Sequence, residues 1–283
     1  MSRTPLFDRL VDDAAVFPPG NAPLEVAVSE HLARREGPDA AHLGPLLVRA
    51  ADAAELARLA AADDRTRQRP LEVGLVVRPG SPVALVTGAA RALRDDRRAH
   101  VAAIELGWST DWRAALELDL PIAVEVGLGP DQAAALDDIA NAVDDNATVV
   151  AKFRTGATPE CPWPDEAALA RFLDATILRG LTFKLTGGLH HAVRDDHDGE
   201  PQHGLLNVVL ATHEALDGSE ADDLTGTLGQ RDAELLTDQV SRLTAVEAAR
   251  VRASFTSFGC CGVLDPLTEL EALGLLPPEG RTS

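Results

Sequence analysis

Short apolar runs alternate with amphipathic helical stretches along this chain, and that alternation limits its fold more than any other feature. The runs fall at residues 10–17, 46–48, 71–77, 101–106, 122–126, 149–154, 181–185 and 254–258. Between them, 23–35, 53–62, the segment up to Arg94, 132–143 and 164–178 carry apolar residues at helical spacing. Asp52 and Glu55 have the spacing of a capping box ahead of the 53–62 helix. Pro164-Asp165 opens the 164–178 helix and Gly180 stops it. Strands alternating with helices build a parallel sheet wrapped by those helices, because parallel neighbours need a long crossover. Eight strands point to the α/β class and a closed (β/α)8 TIM barrel; an open doubly wound sheet is the alternative. A single domain, 1–283, suits the length of 283 residues.

The spacing is uneven in one place. Residues 189–253 form an insertion between the seventh and eighth strands, with room for helices at 204–216 and 232–252 and a polar loop at 218–230. A decorated connection after strand seven lies at the C-terminal face, where such barrels carry their sites. Residues 277–283 read as a frayed tail.

Side chains alternate along a strand, so each run divides into two faces. In the fourth, Ala103, Glu105 and Gly107 oppose Ile104 and Leu106; in the fifth, Ala123, Glu125 and Gly127 oppose Ile122, Val124 and Val126. In the sixth, Val150, Lys152 and Arg154 oppose Val149, Ala151 and Phe153. In the seventh, Thr182, Lys184 and Thr186 oppose Leu181, Phe183 and Leu185. The bulky sets suit the helix layer. The small and charged sets then face the barrel axis, which brings Glu105, Glu125, Lys152 and Lys184 together from four consecutive strands. Such ions, buried without partners, would cost several kcal/mol each, so they must pair, hydrogen-bond or meet solvent in a pocket.

Lys152 and Lys184 are the only lysines; arginine supplies every other fixed cation. Arginine keeps its proton at working pH, whereas lysine can lose one, and only the neutral amine attacks a carbonyl. Two ammonium groups side by side repel, and burial also disfavours charge, so one lysine is expected to fall toward neutrality. A charge-balanced network that stabilises the barrel mouth is the alternative.

On these residues the pattern resembles the class I (Schiff-base) aldolases of the deoxyribose-phosphate aldolase type. Their seventh strand runs Phe-Lys-x-x-Gly-Gly, similar to Phe183-Lys184-Leu185-Thr186-Gly187-Gly188. Their sixth carries Lys-Thr-Ser-Thr-Gly, against Lys152-Phe153-Arg154-Thr155-Gly156 here. Their eighth has Phe-Gly-Ala-Ser-Ser, against Phe258-Gly259-Cys260-Cys261. Glu105 matches the strand-four aspartate that moves protons with a water. The resemblance implies a (β/α)8 barrel with Lys152 as nucleophile, Lys184 as the cation that perturbs it, and Glu105 as acid/base. Glu125 joins them as a candidate catalytic group. The implied activity is a lyase that forms a Schiff base with a small carbonyl or sugar (phosphate) substrate, without a cofactor.

Candidate substrate contacts surround that set. Arg154, Thr155, Thr186 and Cys260 border the same mouth, and His190 or His191 can hydrogen-bond a substrate. Backbone N–H groups of Gly187, Gly188 and Gly259 can cradle an anion. Two departures are plain: Arg154 replaces a small polar residue, and Cys260-Cys261 replace serines beside the substrate phosphate, which weakens the case for phosphate. The chain is also similar to an uncharacterised family of such barrels with Lys-Phe-Arg-Thr-Gly and Gly-Leu-His-His signatures.

His190, His191, His197, His203 and His213 crowd the insertion together with Asp195, Asp196 and Asp198. Imidazole and carboxylate suit Zn, Fe, Mn or Ni, but the spacing matches no metal motif, so no metal is assigned. A metal-dependent barrel enzyme using this loop, and a non-catalytic barrel that binds a small anion, are the alternative functions. Trp108, Trp112 and Trp163 read as packing, with Trp108 a candidate pocket wall.

A net charge of −19 argues against nucleic acid and anionic membrane as partners, since both need a basic face. No run approaches the about 20 apolar residues that span a bilayer. The first residues lack the apolar core of a signal peptide. Cys161, Cys260 and Cys261 give no disulfide framework and no C-x-x-C spacing. A cytoplasmic protein with a small-molecule partner is expected, with a twofold homodimer left open.

Overall fold

The computed structural model describes residues 5–158, 162–197 and 199–277, and each apolar run contributes a strand there. The strands are β1 (Val11–Asp13), β2 (Leu43–Arg49), β3 (Leu71–Val76), β4 (Ala99–Gly107), β5 (Ile122–Glu125), β6 (Val149–Arg154) and β7 (Phe183–Thr186). A small antiparallel hairpin, β8 (Asp195–His197) and β9 (Glu200–Gln202), precedes the last strand, β10 (Phe255–Cys260). Eight strands pair in parallel and close as β1-β10-β7-β6-β5-β4-β3-β2. The fold is the (β/α)8 TIM barrel expected from the alternation, with β10 as its eighth strand.

The helices α1 (Leu24–Arg34), α2 (Ala53–Ala62), α3 (Val83–Leu93), α4 (Gln132–Asp144) and α5 (Glu166–Leu178) lie in the crossovers. A 3-10 helix, Trp112–Leu118, joins β4 to β5. The bulky strand faces meet this layer: Ile104, Leu106, Val124, Phe153, Phe183 and Leu185 are all buried. Phe172 of α5 stacks on Phe153 with ring centroids 4.6 Å apart and meets Phe183 edge-on at 5.9 Å. Phe183 in turn stacks on Phe255 at 5.1 Å. That aromatic row fixes which face of β6, β7 and β10 is outward, and therefore which face holds the charges.

The capping box expected before α2 does not form. Asp52 reaches back to Arg49 at 3.4 Å, and Glu55 holds Arg58 at 2.8 Å. A capping box forms instead at Thr244 and Glu247. It splits the segment expected as one helix into α8 (Ala233–Arg242) and α9 (Ala245–Ser254).

The insertion is built around α6 (Leu205–Leu216), whose residues from Leu205 to Thr212 are buried on every side. A helix apolar all round must be covered, and α8, α9 and α7 (Ala221–Leu228) pack on it. The stretch 218–230 was expected as a polar loop; α7 forms within it because Leu224 and Leu228, one turn apart, are both buried. Asn207 ties the unit together, donating to Thr227 O at 2.9 Å and Gln230 O at 2.7 Å and accepting from Arg194 N at 2.9 Å. The chain then runs through β10 into α10 (Leu264–Ala272). Residues 278–283 of the tail lie outside the described residues. Among the described residues no helix is long and apolar enough to cross a membrane.

Candidate active site

Strand register sets the site. Lys152 of β6 pairs with Lys184 of β7 and with Glu125 of β5, so three charged side chains enter the barrel at one level. Glu105 comes in from β4, where its own register partner is Ala123. The small residue leaves the axis open for the longer carboxylate.

The ions form an unbroken alternating chain. Lys184 Nζ donates to Asp12 Oδ2 at 2.7 Å and to Glu105 Oε1 at 2.5 Å. Lys152 Nζ lies 2.8 Å from Glu105 Oε2 and 3.0 Å from Glu125 Oε2. The contact with Glu105 Oε2 is an ion pair off the hydrogen-bonding direction, and that oxygen has no hydrogen-bond donor of its own. Arg154 Nε reaches Glu125 Oε1 at 3.2 Å, and Ser257 Oγ donates to Asp12 Oδ2 at 2.7 Å. Three acids and three bases thus cancel, which removes most of the cost of burying them. Arg154 is the one member with substantial exposure, its side chain 35% accessible, whereas the other five are at most 9% accessible.

The arrangement decides the protonation states. Burial would raise Glu105, but the charges of Lys152 and Lys184 outweigh it and bring its pKa down to about 2. Burial also opposes ionisation of Glu125, and Lys152 and Arg154 overcome it, so that carboxyl is lowered too. Burial works against both ammonium groups, but Glu105 and Glu125 raise Lys152 while Asp12 and Glu105 raise Lys184. The expectation that one lysine falls toward neutrality is therefore corrected. A carboxylate stands between the two cations, so attraction to it exceeds their mutual repulsion. Asp12 is raised by burial, with Lys184 offsetting part of that shift.

A cavity of about 240 Å³ lies under this layer. Asp12, Glu105, Lys184 and Ser257 face it, and it reaches Arg9 and Pro121 at the N-terminal ends of the strands. Its open side is thus away from the C-terminal mouth where the site was expected to open, and Arg154 covers the charges on the mouth side.

The other expected contacts fall into two groups. Thr155 is fully buried, and its N–H donates to Thr186 O at 2.8 Å with its hydroxyl 3.3 Å from the same oxygen. Gly187 has φ +72, and a Cβ there would lie 2.5 Å from the Arg154 guanidinium, so this glycine makes room for Arg154. Gly188 packs over Thr155, and Gly259 lies between Leu47 and Thr186. His190, His191 and Cys260 belong to a separate cluster against α10: His190 Nδ1 meets Asp265 at 3.0 Å and His191 Nδ1 meets Glu269 at 2.6 Å. Trp108 and Trp112 both donate to Asp138 of α4, at 3.0 and 2.6 Å, which makes them packing residues rather than pocket walls.

Asp12 and Ser257 are site residues the sequence reading passed over. His191 and His197 of the insertion stack with ring centroids 3.3 Å apart, but the histidines do not gather round one point. His203 bonds to Pro164 O at 2.8 Å and His213 meets Asp217 at 3.7 Å, while Asp198 lies outside the described residues. Among the described residues no three His, Cys, Asp or Glu side chains are grouped so as to hold a metal ion. No protein-family model matches this chain, and no curated protein matches it either.

Proposed function

We propose that this barrel is an aldolase-like lyase that forms a Schiff base with a small carbonyl substrate. The observation that supports it is one buried carboxylate, Glu105, held between two lysines from neighbouring strands. Lys152 is the nucleophile in this reading. Its contact with Glu105 is off the hydrogen-bonding direction, whereas Lys184 donates hydrogen bonds to both Asp12 and Glu105. Lys152 passes a proton to Glu105, attacks the carbonyl carbon, and the resulting carbinolamine takes that proton back on oxygen and expels water. The imine then accepts the electron pair when the adjacent carbon–carbon bond breaks, and Glu105, with Lys184 beside it, handles the proton on the leaving fragment. Reductive trapping with borohydride across a panel of small aldehydes and ketones tests the reading: a stable mass increase supports it, and no adduct from any member counts against it.

A second reading has its own observation. Both lysines are held protonated. An ammonium pair of that kind can bind a small anion by charge alone, without covalent chemistry. Saturable binding of small carboxylates, together with failure of all carbonyl trapping, would favour this reading over the first.

A further inference from the structure

The C-terminal ends of β7 and β10 carry a second cluster that the lysine chemistry leaves unused. Cys261 follows β10, His190 follows the turn after β7, and Asp265 sits in the first turn of α10. His190 Nδ1 lies 3.0 Å from Asp265 Oδ2, and its Nε2 lies 3.5 Å from Cys261 Sγ. The imidazole is thus held at one nitrogen by a carboxylate and presents the other to a sulfur. Gly262 permits this: a Cβ there would fall 2.0 Å from Asp265 Oδ2, so any other residue would push the carboxylate off the turn.

The two neighbouring thiols differ. Cys260 is 1% exposed, its sulfur is engaged with Gly262 O at 3.2 Å, and burial pushes its pKa up. Cys261 is partly exposed, and its sulfur faces the His190 ring. A sulfur nucleophile beside a proton carrier suits conjugate addition, which uses one nucleophile and one proton on neighbouring carbons and expels nothing.

We propose that Cys261, His190 and Asp265 form a nucleophilic thiol site, separate from the lysine cluster, that takes small α,β-unsaturated carbonyl compounds. His190 takes the proton of Cys261, the sulfur bonds to the β-carbon, and the carbon–carbon π pair moves to the α-carbon. That carbon accepts the proton from His190, leaving a saturated thioether with no oxidant and no leaving group. Asp265 is a positioning residue: it fixes which nitrogen faces the sulfur and stabilises the imidazolium. The groups facing His190 are Cys260 at the end of β10, Cys261 after it and Asp265 of α10. Hydrogen bonds from Cys260, then Cys261, with Asp265 adding to them, raise His190 to about 11, so the ring holds the thiol proton until the α-carbon takes it.

N-ethylmaleimide at limiting concentration, with peptide mapping of the adduct, reads this site without any lyase assay. At pH 7 Cys261 should be labelled about tenfold faster than Cys260 and than Cys261 of the urea-denatured chain. His190→Ala should slow Cys261 by about tenfold and move its pH–rate profile up toward that of an ordinary thiol, near 8.5. Asp265→Asn should shift the profile the same way by less, with an unchanged melting temperature showing that the fold is intact. If His190→Ala does not fold, His190→Gln takes its place, and the native-to-denatured ratio of the unaltered protein decides independently. Labelling of native Cys261 no faster than in the denatured chain, or a profile unmoved by both substitutions, overturns the proposal. Neither lysine enters this readout, so its outcome is independent of imine trapping.

Discussion

Lys152 and Lys184 face one another across the register of β6 and β7 and hold the two oxygens of a single carboxylate, Glu105. Each also meets a second acid, Glu125 for Lys152 and Asp12 for Lys184. The pair is therefore a relay of alternating charge rather than two cations in conflict. A substrate that displaces one contact changes the balance at all the others, because every member shares a partner.

Imine formation should rise with pH. Lys152 is raised above its ordinary value by Glu105 and Glu125 acting against burial, so the neutral amine is scarce at pH 7. Below that pKa the neutral fraction grows about tenfold per pH unit. Glu125→Gln removes one of the anions that raise Lys152, so its trapping rate between pH 7 and 9 should exceed that of the unaltered protein. Initial rates of borohydride trapping against pH, at saturating aldehyde, measure both effects; a flat profile would contradict them.

Acid should loosen the barrel through Glu105. Its folded pKa of about 2 lies below its ordinary 4.5, so its stabilisation is complete above pH 4.5 and disappears as pH falls through 2. The contribution is on the order of 3 kcal/mol. Asp12, whose pKa is raised, works in the opposite sense as it protonates. Urea midpoints from pH 6 to pH 2 should fall more steeply for the unaltered protein than for Glu105→Gln.

Removing one cation from the layer should be worse than removing a pair. Lys184→Met strands Asp12 and Glu105 without their shared donor, at a cost of about 3–5 kcal/mol. Asp12→Asn combined with Lys184→Met should recover part of that loss. Chemical denaturation of both variants checks the order, and a double variant less stable than the single would contradict it.

Phe172 tests the outer face. It stacks on Phe153 and meets Phe183 edge-on, so Phe172→Ala should cost about 3–5 kcal/mol while leaving the charged layer in place. Calorimetry measures the loss, and unchanged labelling of Cys261 would show that the barrel mouth is intact.

The barrel and its charged face were legible because a strand's period is local: Ala-Ile-Glu105-Leu-Gly shows its two sides without reference to anything distant. Asp12 was not legible. It sits next to Asp13 in a strand of three residues, and the two point opposite ways, Asp13 outward to His31 and Arg34 at 3.1 Å each. Only closure of β1 onto β10, which brings Ser257 and Lys184 within reach, decides which aspartate faces the axis. Asp12 supplies much of the attraction that raises Lys184, whereas Lys152 is raised by Glu105 and Glu125. The partnership of His190 with Asp265 was hidden as well, since it joins residues 75 apart in the chain across a glycine turn. The helix α7 was hidden by its polar composition; two buried leucines and packing on α5 and α6 make it.

The most direct measurement is where a trapped carbonyl attaches. The purified protein is incubated with a small aldehyde and borohydride, digested, and its two lysine-containing peptides are compared by mass spectrometry. A reduced adduct on Lys152, lost in Lys152→Met and slowed in Lys184→Met, is the predicted result. An adduct confined to the N-terminal amine, or none on either lysine across the aldehyde panel, would contradict the account.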